Sequence, residues 1–246
     1  MPQRGLPEVR DLFRRAVHPA SRTPLRRFAT YFFISFREEL PRPDSCGTRH
    51  ALFCYSWDRH RTGGIARDER EDLRAKLSKG LATDVLVTSA GVSAGDRDLV
   101  RDVLAELGVE SVFGKVLVKP GGPTAFAVAG RIPVFSLPGN PVSSLITFEV
   151  FVRPVLRKMT GSSHPLKIPA KAALAEPVKK KPGKTQFLRV LMESGDGGYV
   201  ARTAGDQNTG ILRTLVLADG IAVLPRERTD FAAGERVDVL LLYGQG

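Results

Sequence analysis

Apolar and polar positions follow two different periods along this chain, and the change from one to the other divides it. Between Asp68 and Leu81, Leu73, Leu77 and Leu81 recur every four residues among charges, which predicts a helix with one buried stripe. Asp84-Val-Leu-Val-Thr-Ser89 is a short apolar run, the pattern of a buried parallel strand. A second helix is expected from Leu99 to Leu107, stopped by Gly108. Strand character returns over Val109 to Val118, then over Ala125 to Val128 and Ile132 to Leu137, the last two meeting through a turn at Gly130. Val142 to Met159 predicts a long apolar helix kinked at Pro154. Strand and helix thus alternate, the signature of an α/β layer with a mainly parallel sheet. Gly161-Ser-Ser-His-Pro165 reads as a linker. After it the helical period is replaced by short strands at Phe187 to Met192, Tyr199 to Arg202, Gly220 to Leu224 and Arg236 to Leu242, a small β-rich domain. Upstream of Gly63 the periodicity is poor. Glu8 to Val17 fits a short helix and Phe28 to Phe36 a strand or a helix, and neither has an evident partner.

Composition narrows the function classes. Of 246 residues, 42% are hydrophobic and 26% charged, ordinary for a soluble globular protein. No apolar run approaches the roughly 20 residues that span a bilayer. Tyr31-Phe-Phe-Ile34 is too short and too far from the start for a signal peptide. A cytoplasmic protein without a membrane partner is expected. Two cysteines, Cys46 and Cys54, and four histidines, His18, His50, His60 and His164, form neither a CxxC pair nor a close His pair, which argues against structural zinc. The net charge of +11 raises a nucleic-acid reading, but Arg is scattered and only Lys179-Lys180-Lys181 makes a tight run. No interleaving of aromatic and basic residues of the single-strand-binding kind appears. Anionic small molecules suit such a chain better, and no nucleic-acid partner is expected.

Three segments are candidates for chemistry. In Thr88-Ser-Ala-Gly-Val-Ser-Ala-Gly-Asp-Arg-Asp98, small residues between a buried strand and a helix let backbone N–H groups approach a phosphate. Ser89 and Ser93 add hydroxyls, Gly91 and Gly95 close approach, and Asp96 and Asp98 carboxylates able to hold Mg²⁺ beside a substrate phosphate. An ordinary strand–loop–helix turn with capping Asp accounts for the segment equally well. In Lys115-Val-Leu-Val-Lys-Pro-Gly-Gly-Pro123, a four-residue spacing on a strand puts both amines on one face, toward an oxyanion or simply toward water. In Leu137-Pro-Gly-Asn-Pro-Val-Ser-Ser144, prolines flank Gly139-Asn140 just before a helix, so Pro138 and Pro141 would make a rigid ligand loop or a plain βα turn. Each segment is weak alone. Together they would place small, cationic and acidic groups at one edge of one sheet, where open α/β sheets bind ligands.

Those same segments, with Ile65-Ala-Arg-Asp-Glu69 and Phe113-Gly114, fall in the order and spacing of the MogA-like domain of the molybdopterin molybdotransferase family, the group of bacterial MoeA and the gephyrin E domain, which residues 64–161 closely resemble. More loosely, Thr185-Gln-Phe-Leu-Arg-Val190, Thr209-Gly-Ile-Leu212 and Ala218-Asp-Gly-Ile-Ala-Val-Leu-Pro225 resemble the family's C-terminal β-barrel. The resemblance implies a three-layer α/β domain over 63–161 and a barrel over 165–246. It implies a transferase of molybdenum cofactor biosynthesis that takes adenylylated molybdopterin and molybdate, inserts molybdenum into the dithiolene and releases AMP, assisted by Mg²⁺. By position, Asp68 and Asp98 match acidic residues of the family site and would be the metal ligands. Lys115 and Lys119 match its lysines, and Pro138 and Pro141 prolines of its cleft.

The chain also departs from the pattern. Gly122 stands where the family usually has Lys, and Asp206-Gln-Asn-Thr-Gly210 where its barrel has a Gln-Gly-Ser turn. Residues 1–62 do not resemble the two domains that make the family's homodimer. They are expected to be an unassigned, poorly ordered or aberrant segment arising from a frame change or gene-model error, leaving the chain inactive or weakly active alone. Two alternatives differ in kind: a molybdopterin adenylyltransferase, against which the β-domain argues, and a non-catalytic scaffold module that binds the pterin or nucleotide.

Overall fold

The computed structural model describes residues 28–32, 60–62, 64–67, 69–89, 99–195 and 197–242, the first two segments as backbone strands. Strands β1 (Phe28–Phe32), β2 (His60–Thr62), β3 (Leu86–Ser89), β4 (Glu110–Phe113), β6 (Ala125–Ala129) and β7 (Ile132–Leu137) form one sheet in the order β2-β1-β3-β7-β6-β4. The pairings β1–β2, β1–β3 and β3–β7 are parallel, and β7–β6 and β6–β4 antiparallel, so the sheet is mainly parallel. Ala129 pairs with Ile132 across the expected turn, where Gly130 has φ 59°. Phe28–Phe32 does have a partner, contrary to expectation: it lies in register between His60–Thr62 and Leu86–Ser89.

The period of two in β3 and β7 sorts their side chains to opposite faces. Leu86 and Val134 pack with Leu73 and Leu77 of helix α1 (Arg70–Gly80) and with Val100, Val103 and Leu104 of α2 (Leu99–Glu106). Val85, Val87, Phe135 and Leu137 pack on the other face with α3 (Pro141–Thr147), a π-helical turn (Phe148–Val152) and α4 (Arg153–Met159), through Val142, Ile146, Phe151 and Val155. Helices therefore cover both faces and make three layers. Helix α1 is set by its Leu73/Leu77 stripe, by Glu71 and Asp72 in the first turn and Lys79 in the last, and by a Lys76–Asp72 pair at 2.7 Å. The expected kink at Pro154 takes the form of the π turn. Proline has no N–H to continue the α ladder, and Arg153 N–H bonds back to the Phe148 carbonyl, five residues away.

Five further strands close on themselves. These are β8 (Ala170–Leu174), β10 (Thr185–Gly195), β11 (Gly198–Thr203), β12 (Gly220–Leu224) and β14 (Arg236–Leu241), in the circuit β10-β11-β8-β14-β12-β10. A short pair, β9 (Val178–Lys179) with β13 (Asp230–Phe231), caps them. The barrel interior holds Leu188, Val190, Ala222, Leu224 and Val239. The alternate residues Phe187, Ile221, Val223 and Leu240 face out and join the apolar cluster of the α/β unit. Strand β12 is thus buried on both faces, which is why Gly-Ile-Ala-Val-Leu reads as a continuous apolar run.

One expected strand is divided. Val109 to Val118 is β4 up to Phe113, followed by an extended bend through Gly114–Leu117 and a separate strand, β5 (Val118–Lys119), which pairs in parallel with β10 of the barrel. Lys119 therefore lies on a strand of the second sheet, not the first.

Candidate functional site

The crevice follows from topology. β3 and β7 are parallel neighbours, with Ser89 opposite Leu137 at their carboxyl ends. From β3 the chain continues toward α2 on one face, and from β7 it turns directly into α3 on the other. Connections that leave adjacent parallel strands toward opposite faces open a gap just beyond the strand ends, the place where open α/β sheets take ligands.

The floor of that gap is held rigidly. Ser89 is 1% exposed; its Oγ donates to the Pro138 carbonyl at 3.3 Å and lies 3.1 Å from Ser144 Oγ, which itself bonds to the same carbonyl. The Ser89 hydroxyl is thus turned into the loop and not toward a ligand. Asn140 caps α3: its Oδ1 accepts from the Ser143 N–H at 3.1 Å, and Pro141 occupies the first helical turn. Pro138 is buried, while Gly139, Asn140 and Pro141 are half-buried and present the surface of the loop.

A wall comes from the barrel, and sequence reasoning missed it. Asn140 Nδ2 donates to the Thr209 carbonyl at 3.0 Å, tying the βα loop to the barrel loop 205–212. That loop is organised by Arg189 on the outer side of β10, which is fully buried. Its Nε donates to Thr214 Oγ1 at 2.8 Å, and its Nη2 to the carbonyls of Asp206 and Asn208 at 3.1 and 3.3 Å. Gln207 Oε1 accepts the Arg189 N–H at 2.9 Å and its amide returns a bond to the Arg189 carbonyl at 3.2 Å. Burial lowers the guanidinium's pKa below its usual value, partly offset by the field of Asp206. The available signal was a charged residue inside the apolar run Phe187-Leu-Arg-Val190.

Lys115 and Lys119 are both exposed, with Val116 and Val118 buried between them, so the alternation that puts both amines on one side persists although the strand is broken. The segment after Lys119 packs tightly on α3. A Cβ at Gly121 would sit 2.2 Å from Thr147 Cγ2, and Gly121 has φ 107°. Thr124 Oγ1 closes the turn on the Gly121 carbonyl at 2.7 Å. Of the remaining expected residues, Asp68, Gly91, Ser93, Gly95 and Asp98 lie outside the described residues. Among the described residues no group of three His, Cys, Asp or Glu could hold a metal ion. No helix among them is long and apolar enough to cross a membrane.

Comparison with known proteins gives the families that the two regions match. Residues 55–158 match the family described as a probable molybdopterin binding domain, and residues 171–242 the MoeA C-terminal region (domain IV). Molybdopterin molybdenumtransferase 1 of Mycobacterium tuberculosis is 34% identical over 194 residues, 76% of this chain and 45% of that protein. Molybdopterin molybdenumtransferase of Bacillus subtilis is 32% identical over 180 residues, 73% of this chain and 42% of that protein. The chain spans about half the length of the curated relatives it matches. Among solved structures, a molybdopterin biosynthesis MoeA protein from Pyrococcus horikosii superposes with a TM-score of 0.69 at 28% identity, covering 89% of this chain and 56% of that one.

Proposed function

Since the chain belongs to the molybdopterin molybdenumtransferase family through the two domains it carries, we propose that its crevice binds an adenylylated molybdopterin and that the chain serves in the transfer of molybdenum from molybdate to the pterin dithiolene, with release of AMP. The observation that carries this reading is the junction at Asn140. One side chain caps α3 at the ends of the parallel strands and holds the barrel loop at Thr209. A ligand in the crevice would meet both the α/β unit and the barrel.

Each group has a physical task in this reading. The half-buried Gly139–Pro141 segment would offer backbone and a fixed helix start to the anionic end of the substrate. Lys115 and Lys119 would attract molybdate and phosphate and oppose the negative charge that develops on the leaving phosphate. Ser89 acts indirectly, by holding the Pro138 carbonyl and so the loop. Mg²⁺ would be held by Asp68 and Asp98. Two carboxylates with substrate phosphate and water are a usual Mg²⁺ set, and the described residues add no carboxylate cluster of their own. When bound, the ion would neutralise phosphate charge.

The test has two arms. Calorimetric titration with AMP and Mg²⁺ measures the crevice. An assay of cofactor formation from adenylylated molybdopterin and molybdate measures transfer. Binding is expected, with transfer at a rate set by how closely the supporting groups are placed, since a misplacement of about 1 Å costs roughly 100-fold. AMP binding with no transfer under any condition, including added full-length relative, favours a scaffold module. No AMP binding by folded protein contradicts the reading.

A further inference from the structure

The pairing of β5 with β10 brings together two lysine-bearing segments that are far apart in the chain. Val118 stands opposite Thr185 and Lys119 opposite Gln186, and the Thr185 N–H donates to the Leu117 carbonyl at 2.9 Å. Val118 and Thr185 are buried. Lys119 therefore turns to solvent, and so does Lys184, one residue before β10 and beside Leu117. Neighbouring strands lie about 4.8 Å apart, so these side chains and that of Lys115 share one surface.

The turn before β10 extends this surface with the run Lys179–Lys181, which the crevice does not use. Lys180 Nζ donates to the Lys184 carbonyl at 3.0 Å and the Lys181 carbonyl at 3.4 Å, and Lys181 is exposed. Among the described residues, none of Lys115, Lys119, Lys180, Lys181 and Lys184 forms a salt bridge. Glu227, whose field reaches Lys180, is itself bonded to Arg226 at 2.8 Å. Leu117 lies within the band, 48% exposed.

We propose that this lysine band is a docking surface for an acidic protein segment, with Leu117 as its apolar anchor. Five ammonium groups without a salt bridge among the described residues sustain a positive field that favours an anionic partner and steers its approach. An aliphatic side chain within a charged surround is the composition of a protein interface. Single-stranded nucleic acid would be held on aromatic platforms, and residues 115–123 and 178–186 contain no Phe, Tyr or Trp. A membrane surface would be met by an amphipathic helix, whereas this band is built on strands and a turn. Because the functional reading above assigns Lys115 and Lys119 to the crevice, a partner seated here would stand at its mouth, placed to deliver or receive the small molecule. That purpose rests on the functional reading above; the docking itself does not.

The experiment is fluorescence anisotropy with the full chain and a labelled peptide of glutamates interspersed with leucines. Controls are polyglutamate, oligothymidine, and vesicles of phosphatidylserine and phosphatidylcholine. The peptide is expected to bind, more weakly as salt rises. Combined Lys180→Glu, Lys181→Glu and Lys184→Glu should weaken it roughly tenfold or more. Leu117→Ser should weaken the glutamate–leucine peptide but not polyglutamate. Circular dichroism checks the fold of both variants. AMP binding should persist in the triple variant, weakened at low salt only by the lost field, so a failure of the crevice and a failure of the band are read separately. No peptide binding by folded protein, binding indifferent to the charge reversal, or tighter binding of oligothymidine or vesicles than of the peptide would overturn the proposal.

Discussion

Gly121 and Gly122 are neighbours with opposite tolerances. A Cβ at Gly121 would lie 2.2 Å from Thr147 Cγ2 on a backbone of φ 107°, whereas at Gly122 the nearest atom is the Val118 carbonyl oxygen at 3.6 Å. Gly121→Ala is expected to cost about 2–4 kcal/mol in urea unfolding, from strain and overpacking together. Gly122→Ala should stay within about 0.5 kcal/mol. Gly122→Lys should therefore fold, and if the crevice takes anions it should strengthen AMP binding by up to about fivefold. A second residue-level expectation concerns Glu176. Hydrogen bonds from the Thr203 hydroxyl and from its N–H at 3.2 Å hold the carboxyl below its ordinary value of 4.5. A carboxylate whose pKa is lowered on folding stabilises above 4.5, and the gain is lost as pH falls through the lower folded value. Glu176→Gln should therefore be less stable than the parent at pH 7, by under about 1 kcal/mol because the group is largely solvated. The difference should vanish in acid; one that grows toward low pH would contradict this assignment. At this scale the sequence displayed the residue types of the crevice but not their orientations. Nothing in Thr-Ser-Ala-Gly tells that Ser89 turns inward to the Pro138 carbonyl.

Among the elements, the barrel loop 205–212 depends on a single buried cation. Arg189→Met removes donors to the carbonyls of Asp206 and Asn208 and to Thr214. A loss of about 3 kcal/mol is expected, since those acceptors stay largely desolvated. Amide exchange should accelerate across 205–210 while β12 and β14 keep their protection; unchanged exchange in the loop would remove Arg189 as its organiser. Legibility varied from element to element for physical reasons. β3, β7 and their neighbours were readable because continuous apolar runs end at glycine or proline. Ala170–Leu174 was not, because Ala-Lys-Ala-Ala-Leu has no β-branched or aromatic residue and owes its strand to two partners, β11 and β14. β5 is two residues long and exists only because β10 pairs with it.

In the molecule as a whole, the α/β unit and the barrel share one apolar cluster and a buried ionic clasp. Glu149 on the π turn is 5% exposed and meets Arg153 at 2.6 Å and Lys167 at 3.1 Å, while Lys167 also donates to the Leu241 carbonyl at 2.5 Å on the barrel. Burial pushes the Lys167 ammonium below its usual pKa, against the opposing pull of Glu149. Removing one partner leaves the other buried and uncompensated, so Glu149→Gln and Lys167→Met should each cost about 2–4 kcal/mol. The double variant should cost less than their sum; strict additivity would show that the pair is not coupled. The alternation of strands and helices made the α/β layer and the β-rich region readable from sequence. Their fusion through β5, Asn140 and Glu149 was not, because it depends on contacts between residues about 20 to 70 positions apart.

In the proposed function the ligand sits at the carboxyl ends of β3 and β7, walled by the barrel loop. Backbone amide chemical shifts of the isotopically labelled chain, followed through a titration with AMP, test it most directly. The largest changes are expected on Ser89, Gly139, Asn140 and Thr209, on both sides of the junction at once. Saturable changes confined to β8, β11 and β14, with those four amides unmoved, would contradict it.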